Sequence, residues 1–463
     1  MPLDAHLVGV LIAAICLFPI ALWIARGKQT LPAFELICIA YLLAFGMPLY
    51  LQPNQITIFS QPITFAWEET YRALCLSALG ISVMIFSYYA AIGVGAARYL
   101  PRIDLPMDPR RQYLFFKLAF GFSLAMTVLR IVEESFSTPA FDAIVRLLNA
   151  QVFVAIILLA YRVYRGQENR RWTILLYVIV GFTALTGLSS GMLENALVPL
   201  VLIFIVRWSA TRKLPFLWVI GGLFMFVILN SVKGNYRSQA WYSGTPLDTG
   251  GRISLWLDLS QQSLQEMTSG GTVEDIFRRS MSRFDLLHSF VHVQQMTPLS
   301  VPYYEGETYA YILYGWIPRF FWPDKPIAQE ANVKFAVDYR LMSEKQTSGT
   351  MIGIGHLPEA YANFGIAGIL FVMAVQGSFL AAVNTVFNGP DSEGGGAIYL
   401  SIIVFFLNGI GSATAALFMA LILNTVVNAF LLRRFAKSWR TPTASRRSNP
   451  RKITSGNFRR SLP

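Results

Sequence analysis

Two cations and four aromatic rings lie within one short stretch in the second half of this chain, GWIPRFFWPDKP from Gly315 to Pro326. Its three prolines each remove a backbone donor and fix φ, so the stretch predicts a rigid loop and not a helix. Arg319 and Lys325 in such a loop would hold an anionic lipid or a diphosphate, because an arginine can form two parallel hydrogen bonds to phosphate oxygens.

An aromatic and polar segment, YYEGETY from Tyr303 to Tyr309, precedes this loop. Aromatic rings interleaved with polar groups suit sugars, which present apolar C–H faces to an aromatic plane. The alternative is a belt of aromatic residues at a membrane interface. The density of proline and charge in the following loop favours sugar binding over a belt alone.

A second pair of cations, Lys233 and Arg237, is spaced i,i+4 just past a predicted membrane span. If the helix continues, both side chains point the same way. They would clamp a lipid-linked diphosphate, or extend to the phosphates of ordinary lipids. The residues alone leave both interpretations open.

The segment GIGHLPEAYANFG from Gly353 to Gly365 contains an imidazole and a carboxylate, those of His356 and Glu359. Glu359 follows a proline at a predicted helix start, where the helix dipole favours an acid. Either group could instead act as a general base for an acceptor hydroxyl.

Helical spacing of apolar residues predicts an amphipathic helix over 273–296, with Arg279 and Arg283 on a more polar face. His288 and His292 are also spaced i,i+4. The pair lacks a third ligand and the glutamate of a protease motif, so it does not predict zinc. Glu194 could be a helix-start residue or a pocket residue.

The elements that carry these residues are predicted to be membrane helices. The chain has 463 residues, 54% of them hydrophobic and only 14% charged, against about 25% charge in soluble domains. Apolar runs predict an all-α polytopic membrane protein. We expect eleven spans, at roughly 6–25, 33–50, 71–94, 113–132, 145–163, 172–189, 193–208, 214–232, 362–387, 397–410 and 412–432.

Charge predicts the orientation of these spans. Arginine and lysine concentrate in alternate short loops and in the C-terminal tail, so the net charge of +12 indicates topology and not nucleic acid binding. The N-terminus is then periplasmic and the C-terminus cytoplasmic. The expected organisation is spans 1–8 over 1–232, one large extracytoplasmic loop with short helices over 233–361, spans 9–11 over 362–432, and a basic, disordered tail over 433–463.

Several function classes find no support in the sequence. The three cysteines all lie in or near apolar segments, so no disulfide framework or metal site is predicted. There is no Walker loop, GxGxxG after a strand or GxSxG, and we expect no cofactor. Few charges fall at mid-membrane depth and the two halves are dissimilar, which argues against an ion-coupled transporter.

In chain order these motifs resemble the oligosaccharide repeat unit polymerases, the O-antigen and exopolysaccharide (Wzy-type) polymerases of bacteria. The resemblance covers about residues 230–370, and the first 230 residues match only as a generic polytopic membrane protein. It rests on Lys233 with Tyr236 and Arg237, the run Ser282–Asp285, the run Gly306–Tyr309, Ile317 to Arg319 with Trp322 to Pro326, and Glu359 with Asn363 to Gly365.

The resemblance implies a metal-independent glycosyltransferase with a GT-C-like fold in the bacterial inner membrane. It would move a glycan from undecaprenyl diphosphate to an incoming lipid-linked repeat unit, and a flippase and a chain-length regulator would be its partners. The implied roles are diphosphate binding for Arg319, Arg283 and Lys325, binding of the second lipid carrier for Lys233 and Arg237, base catalysis for Glu359 or His356, sugar stacking for Trp322 and Tyr309, and substrate binding for Asp324 and Asn363.

Three other functions share parts of this pattern. An O-antigen ligase would use the same donor with a different acceptor. A flippase or another transporter of lipid-linked oligosaccharides would need charged cavities at mid-membrane. A non-catalytic assembly protein of a polysaccharide complex would need neither a glycan donor nor a charged cavity in the membrane.

Overall fold

A computed structural model gives the fold, which is almost entirely helical. It describes residues 2–27, 31–58, 61–94, 99–100, 102–103, 105, 107–132, 148–191, 193–211, 213, 215–242, 247–268, 277–278, 280–317, 321–347, 352–388 and 393–436. A two-stranded antiparallel hairpin, β1 (Gln55–Ile58) and β2 (Gln61–Thr64), was not predicted. Its isoleucines and threonines favour extended backbone.

Helices occupy every segment that was predicted to span the membrane. Those of the first half are α1 (Leu3–Ala25), α2 (Ala33–Tyr41) with a π-helical turn (Leu42–Gly46) and α3 (Pro48–Leu51), α4 (Trp67–Gly93), α5 (Pro109–Val132), α6 (Gln151–Tyr164), α7 (Arg170–Ser189), α8 (Leu193–Thr211) and α9 (Phe216–Tyr242). Those of the second half are α10 (Thr249–Thr268), α11 (Leu287–Met296), α12 (Tyr311–Tyr314), α13 (Glu330–Asp338), α14 (Glu344–Thr347), α15 (His356–Phe387), α16 (Glu393–Gly409) and α17 (Thr414–Phe435).

Nine helical segments among the described residues are long and apolar enough to cross a membrane. These correspond to nine of the predicted spans, in agreement with a multi-pass membrane protein. The other two predicted spans correspond to α6 and α16, which are apolar but shorter. A total of eleven spans and a GT-C-like fold therefore remain predictions.

Two predicted boundaries were wrong. The eighth span was expected over 214–232, but α9 continues to Tyr242 and carries Lys233 and Arg237 within the helix. The predicted amphipathic helix over 273–296 is interrupted, because the backbone of Asp285 is extended. The Asp285 carboxylate then accepts a hydrogen bond from the backbone N–H of His288 at 3.1 Å, which satisfies one free donor at the start of α11.

Successive spans alternate in direction, so their ends gather at two ends of the bundle. At the end that we call the motif end, the Gln52 side chain donates to the Arg278 carbonyl and the ring of Phe65 stacks on His288. The Tyr236 hydroxyl donates to the carbonyl of Ser189 at the same end. The described residues between 280 and 355 pack here.

The opposite end, which we call the basic end, is closed by the segment after α4. Its residues bond to the ends of three other helices, and Arg110, Arg111 and Arg434 lie nearby. The backbone hydrogen bonds are Ile103 N–H to Val386, Gly394 N–H to Leu105 and Asp108 N–H to Phe435. This arrangement agrees with the alternation that the charge pattern predicted.

The most extensive helix contact in the bundle joins α4 and α15. Glycines allow their backbones to approach closely. A Cβ atom on Gly377 would lie 2.1 Å from the carbonyl oxygen of Met84, and one on Gly80 would lie 2.9 Å from the side chain of Ile369. The contact with α4 fixes the position of α15, and therefore of its first residues at the motif end.

Candidate functional site

A break in helix α15 separates its first residues, which include His356, Glu359 and Asn363, from the part of the helix that is long enough to span the membrane. Phe364 has φ −142° and ψ 17°, and Gly365 has φ 61° and ψ −142°. Only glycine adopts the second conformation readily. A Cβ atom at Gly365 would also lie 3.1 Å from the Tyr303 hydroxyl. The residues before the break, His356 to Asn363, therefore form a short helix with its own direction.

Asn363 attaches the aromatic segment 303–309 to this short helix. Its side-chain oxygen accepts from the backbone N–H of Gly306 at 2.9 Å, and its nitrogen donates to the Thr308 hydroxyl at 2.8 Å. The same nitrogen donates to the Glu359 carbonyl at 2.8 Å. Asn363 is buried, so its predicted contact with substrate would be indirect, through the loop that it positions.

Glu359 is fully buried, with 0% of its surface exposed. One carboxylate oxygen accepts from the backbone N–H of Thr414 at 2.7 Å, at the start of α17. The other oxygen has no hydrogen-bond partner among the described residues. The Thr308 side chain is also close enough to interact with the carboxylate. The predicted base thus lies beneath the surface of the motif end.

Tyr309 lies against the same carboxylate. Its ring stacks on Phe364 at a centroid distance of 6.5 Å. Its hydroxyl is buried without a hydrogen-bond partner among the described residues. Burial, together with the nearby Glu359, raises the pKa of this hydroxyl well above its ordinary value. The neutral hydroxyl is buried, and the residue as a whole is only partly exposed.

His356, the alternative base, is also buried. Its Nδ1 accepts from the side-chain amide of Gln376 and lies 3.2 Å from the Tyr41 hydroxyl. Its ring contacts Phe406 edge-on at 5.5 Å. These partners come from three separate helices, so His356 joins α2, α15 and α16 within the bundle.

Lys325 holds its own loop in shape. Its ammonium donates to the carbonyls of Gly315 at 2.9 Å and Ile317 at 2.7 Å, and lies 5.7 Å from the centre of the Tyr311 ring. Only 7% of the residue is exposed. Arg319 lies between these anchor points in sequence but outside the described residues. The lysine that was predicted to bind diphosphate thus closes the loop that carries Arg319.

Trp322 and Asp324 lie on the outside of the same loop. Both are exposed, and the ring of Trp322 lies 5.5 Å from that of Tyr314. Trp322 is therefore accessible to solvent, and its role in sugar stacking stays a prediction.

A cavity of about 530 Å³ has Lys233 in its lining, and none of the described residues in 303–326 or 356–365 lines it. Glu194, Asn230 and Asn408 contribute further polar groups to its lining. Lys233 and Arg237 lie one turn apart on α9, as their spacing predicted. The sequence analysis left Glu194 undecided and did not select the two asparagines, although an asparagine within an apolar helix is a recognisable signal.

The motif around Arg283 reaches the same cavity. Its neighbours Phe284 and Leu286 line the wall, and the backbone of Arg283 lies in a 3-10 turn, Ser282–Phe284. The Arg283 side chain is outside the described part of the structure. The turn and Lys233 therefore face one cavity from two different elements.

The two histidines of α11 have separate partners. Nδ1 of His288 lies 2.6 Å from Oδ2 of Asp285, and Nε2 of His292 lies 2.9 Å from the carbonyl oxygen of Tyr339. The described residues contain no group of three or more His, Cys, Asp or Glu side chains that could hold a metal ion. The pairing of His288 with Asp285 was missed, because the i,i+4 spacing of His288 and His292 drew attention to the two histidines and not to the carboxylate three residues before His288.

The comparison with protein-family models finds a match. A family model described as a domain of unknown function (DUF8712) matches residues 107–433, which include every motif considered above. No curated protein and no solved structure matches the chain.

Proposed function

Because the chain belongs to the DUF8712 family, whose function is unknown, we propose its function from its own residues: polymerisation of lipid-linked oligosaccharide repeat units by a membrane glycosyltransferase. The enzyme would work at the periplasmic face of the bacterial inner membrane. Its N-terminus would be periplasmic and its C-terminus cytoplasmic, and a flippase and a chain-length regulator would act with it.

The observation that carries this proposal is the convergence of distant motifs at one end of the bundle. The backbone N–H of Tyr304 donates to the Ala362 carbonyl at 3.0 Å. The backbone N–H of Gly355 donates to Gly411 at 3.2 Å, and Gly411 lines the Lys233 cavity. Of the segments that resemble polymerase motifs, those of Lys233 and Phe284 line one cavity, and the segments 303–309 and 353–365 are joined to each other and to its rim by these backbone bonds. This proximity supports a shared site at the motif end.

In the proposed reaction, a hydroxyl of the incoming unit attacks the anomeric carbon of the growing glycan. A new C–O bond forms, the bond to the lipid diphosphate breaks, and the diphosphate leaves with the electron pair. Arg319 and Arg283 would stabilise the charge that develops on this leaving group. Lys325 would act by fixing the loop of Arg319, since its own ammonium is bonded to two carbonyls.

The proton of the attacking hydroxyl must pass to a base. Glu359 and His356 were the predicted bases, and both are buried in this structure. Glu194 lines the cavity and is exposed, so it is a third candidate for this role. A base needs hydrogen-bond reach to the proton that it removes, which favours Glu194 unless the loop 303–309 moves.

The distribution of polar groups supports transfer over transport. The Lys233 cavity lies at the motif end, and a groove that shares the lining residues Leu197, Val201 and Phe226 with it is lined almost entirely by apolar side chains. A flippase must carry a polar headgroup across the membrane, which such a lining would oppose.

The deciding experiment incubates the purified protein with lipid-linked repeat units and separates the products by size. We expect a ladder of glycan lengths, and no ladder with Arg319→Ala. Failure to form any ladder from several types of repeat unit, together with movement of the lipid across the bilayer, would show that the protein is a flippase. Transfer of a single finished glycan to a different acceptor would identify a ligase.

A further inference from the structure

The short helix α12 and the loop that follows it carry large apolar side chains on their outside. Leu313 on α12 is 76% exposed, Trp316 is 70% exposed and Phe321 is 76% exposed. The loop is closed on itself, because the ammonium of Lys325 bonds back to two of its carbonyls. Apolar area in water costs about 25 cal/mol per Å², so such a surface indicates a contact with lipid or with another protein.

The segment that comes next in the chain has the opposite character. Residues 328–347 are described throughout, and no large hydrophobic side chain is exposed among them. Their exposed positions are polar or charged: Glu330, Arg340, Ser343, Glu344, Lys345 and Gln346. The segment 328–347 is therefore suited to water, whereas the outside of α12 and its loop is not.

Helix lengths show the level at which the loop lies. The part of α15 after its break, from Ile366 to Val386, is about 30 Å long at 1.5 Å per residue. Helix α17, from Thr414 to Phe435, is about 32 Å long. Val386 and Phe435 both bond to the segment that closes the basic end. Because the hydrocarbon core of a bilayer is about 30 Å thick, Ile366 and Thr414 lie at its boundary on the side of the motif end.

The chain leading into the loop is attached at this boundary. A Cβ atom on Gly306 would lie 3.1 Å from the ring of Phe364, at the break of α15. Tyr309 lies beside Glu359, whose carboxylate accepts from the backbone N–H of Thr414. Helix α12 itself packs against α17. The exposed apolar side chains of α12 and its loop are therefore held near the boundary and not far out in the water.

Exposed apolar side chains continue from this level along the two membrane helices. Phe371 on α15 is exposed, and so are Leu423 and Val426 on α17. Both helices are long and apolar enough to cross a membrane, so in a bilayer these side chains contact acyl chains. A lipid-facing surface thus lies beside the loop, which favours lipid over a partner protein as its cover.

We propose that Leu313, Trp316 and Phe321 insert into the bilayer leaflet at the motif end, so that α12 and its loop form an interfacial anchor. Tryptophan favours this level of a membrane, where the ring is among apolar groups and its polar edge is satisfied. The indole N–H of Trp316 donates to the carbonyl of Leu313 at 2.6 Å. The anchor holds the Lys325 loop at the level of the lipid headgroups.

The first test measures the depth of Leu313 with a fluorescent label. In a background without Cys16, Cys38 and Cys75, Leu313→Cys carries an NBD group and the protein is placed in phosphatidylcholine nanodiscs. We expect phospholipid with a doxyl group near the top of its acyl chain to quench the fluorescence at least twofold, and iodide in the water to quench little. Glu344→Cys, at an exposed residue of the same end, is the control and should show the reverse.

The second test needs no label, because Trp316 is itself fluorescent. Brominated phosphatidylcholine should quench a larger share of the emission in the wild type than in Trp316→Phe. Trp256→Phe is the control, since Trp256 is fully buried within the protein, and it should leave the quenched share almost unchanged.

Quenching of the Leu313 label by iodide but not by the doxyl lipid would overturn the inference and leave the surface for a protein partner. Equal quenching by bromine in the wild type and in Trp316→Phe would overturn it as well. Neither measurement uses glycan transfer, so the anchor and the proposed polymerase can fail separately.

Discussion

The carboxylate of Glu359 accepts a hydrogen bond at 2.7 Å from the backbone N–H of Thr414. Thr414 is the first residue of α17, and the first N–H groups of a helix have no partner within the helix. A carboxylate at this position also interacts favourably with the helix dipole. One side chain therefore joins the starts of two apolar helices, which gives Glu359 a structural role whether or not it also takes a proton.

Substitution of Glu359 separates these two roles. Glu359→Ala leaves a buried N–H without a partner, which costs about 1–3 kcal/mol, so we expect a clear fall in melting temperature in detergent. Glu359→Gln keeps an acceptor oxygen and should retain most of that stability. If Glu359 is the base, Glu359→Gln melts almost normally but makes no ladder. Glu344→Gln, at an exposed glutamate of the same end, is the control and should change neither quantity.

Because the backbone at Gly365 has a conformation that favours glycine, any side chain at this position should destabilise the protein. Gly365→Ala must adopt a backbone conformation that only glycine enters readily, which costs of order 1–3 kcal/mol. The added methyl group would also press on Tyr303. We expect a lower melting temperature, measured beside Gly121→Ala, because Gly121 lies within α5 with open space around it. Equal stability of the two variants would mean that the break is not needed.

His292 predicts a dependence of stability on pH. It lies on α11, outside the candidate spans, and burial lowers its pKa below the ordinary value. Below about pH 6.5 the His292 imidazole is protonated in the unfolded chain but stays neutral in the folded chain. The free energy of unfolding therefore decreases as the pH drops below about 6.5.

We expect the melting temperature to fall between pH 7.5 and pH 5, and to fall less in His292→Gln. The exposed histidine His6 is the control, and His6→Gln should keep the full pH dependence. Identical pH profiles for the two variants would assign the effect to other groups.

The conformation of the loop 315–326 should depend on the ammonium group of Lys325. Lys325→Met keeps the length of the side chain but loses both hydrogen bonds to the carbonyls of Gly315 and Ile317. We expect faster proteolytic cleavage between residues 315 and 326, together with loss of glycan elongation. Asp324→Asn changes the adjacent exposed residue and should be cleaved at the wild-type rate. Lost elongation with unchanged cleavage would instead indicate direct contact between Lys325 and substrate.

The proposed orientation predicts which surface a reagent can reach from outside the cell. Ser343 is exposed at the motif end and Arg171 at the basic end. In a background without Cys16, Cys38 and Cys75, we expect a membrane-impermeant maleimide to label Ser343→Cys in intact cells. Arg171→Cys should be labelled only after the membrane is opened. The opposite pattern would invert the topology and place the site in the cytoplasm.

The apolar segments and the shared face of Lys233 and Arg237 could be predicted, because both depend on residues near each other in sequence. The length of α9 was underestimated, because its last turns are polar on one side and pack against Trp256 and Ser189. The partners of Glu359 and His356 on other helices could not be predicted, because their positions depend on the packed bundle. The partners of Lys325 lie in its own loop, but the residue types of that loop do not show that the ammonium turns back to the carbonyls of Gly315 and Ile317.

The same limit applies to the cavity. Glu194 and Asn230 come from helices that the sequence does not place side by side, and Asn408 follows from the end of a third helix. The sequence identified most of the motif residues but did not separate those that shape the site from those that line it.

The close contact of α4 with α15 bears on how this family can be dissected. The family match begins at residue 107, after α4, yet Gly377 on α15 touches the backbone of α4 at Met84. A fragment that starts at the family boundary would uncover the largest helix contact of the bundle. Residue 107 is therefore not the start of an autonomous folding unit. For the motif end to assemble, residues 1–106 must be present, in the same chain or as a separate one.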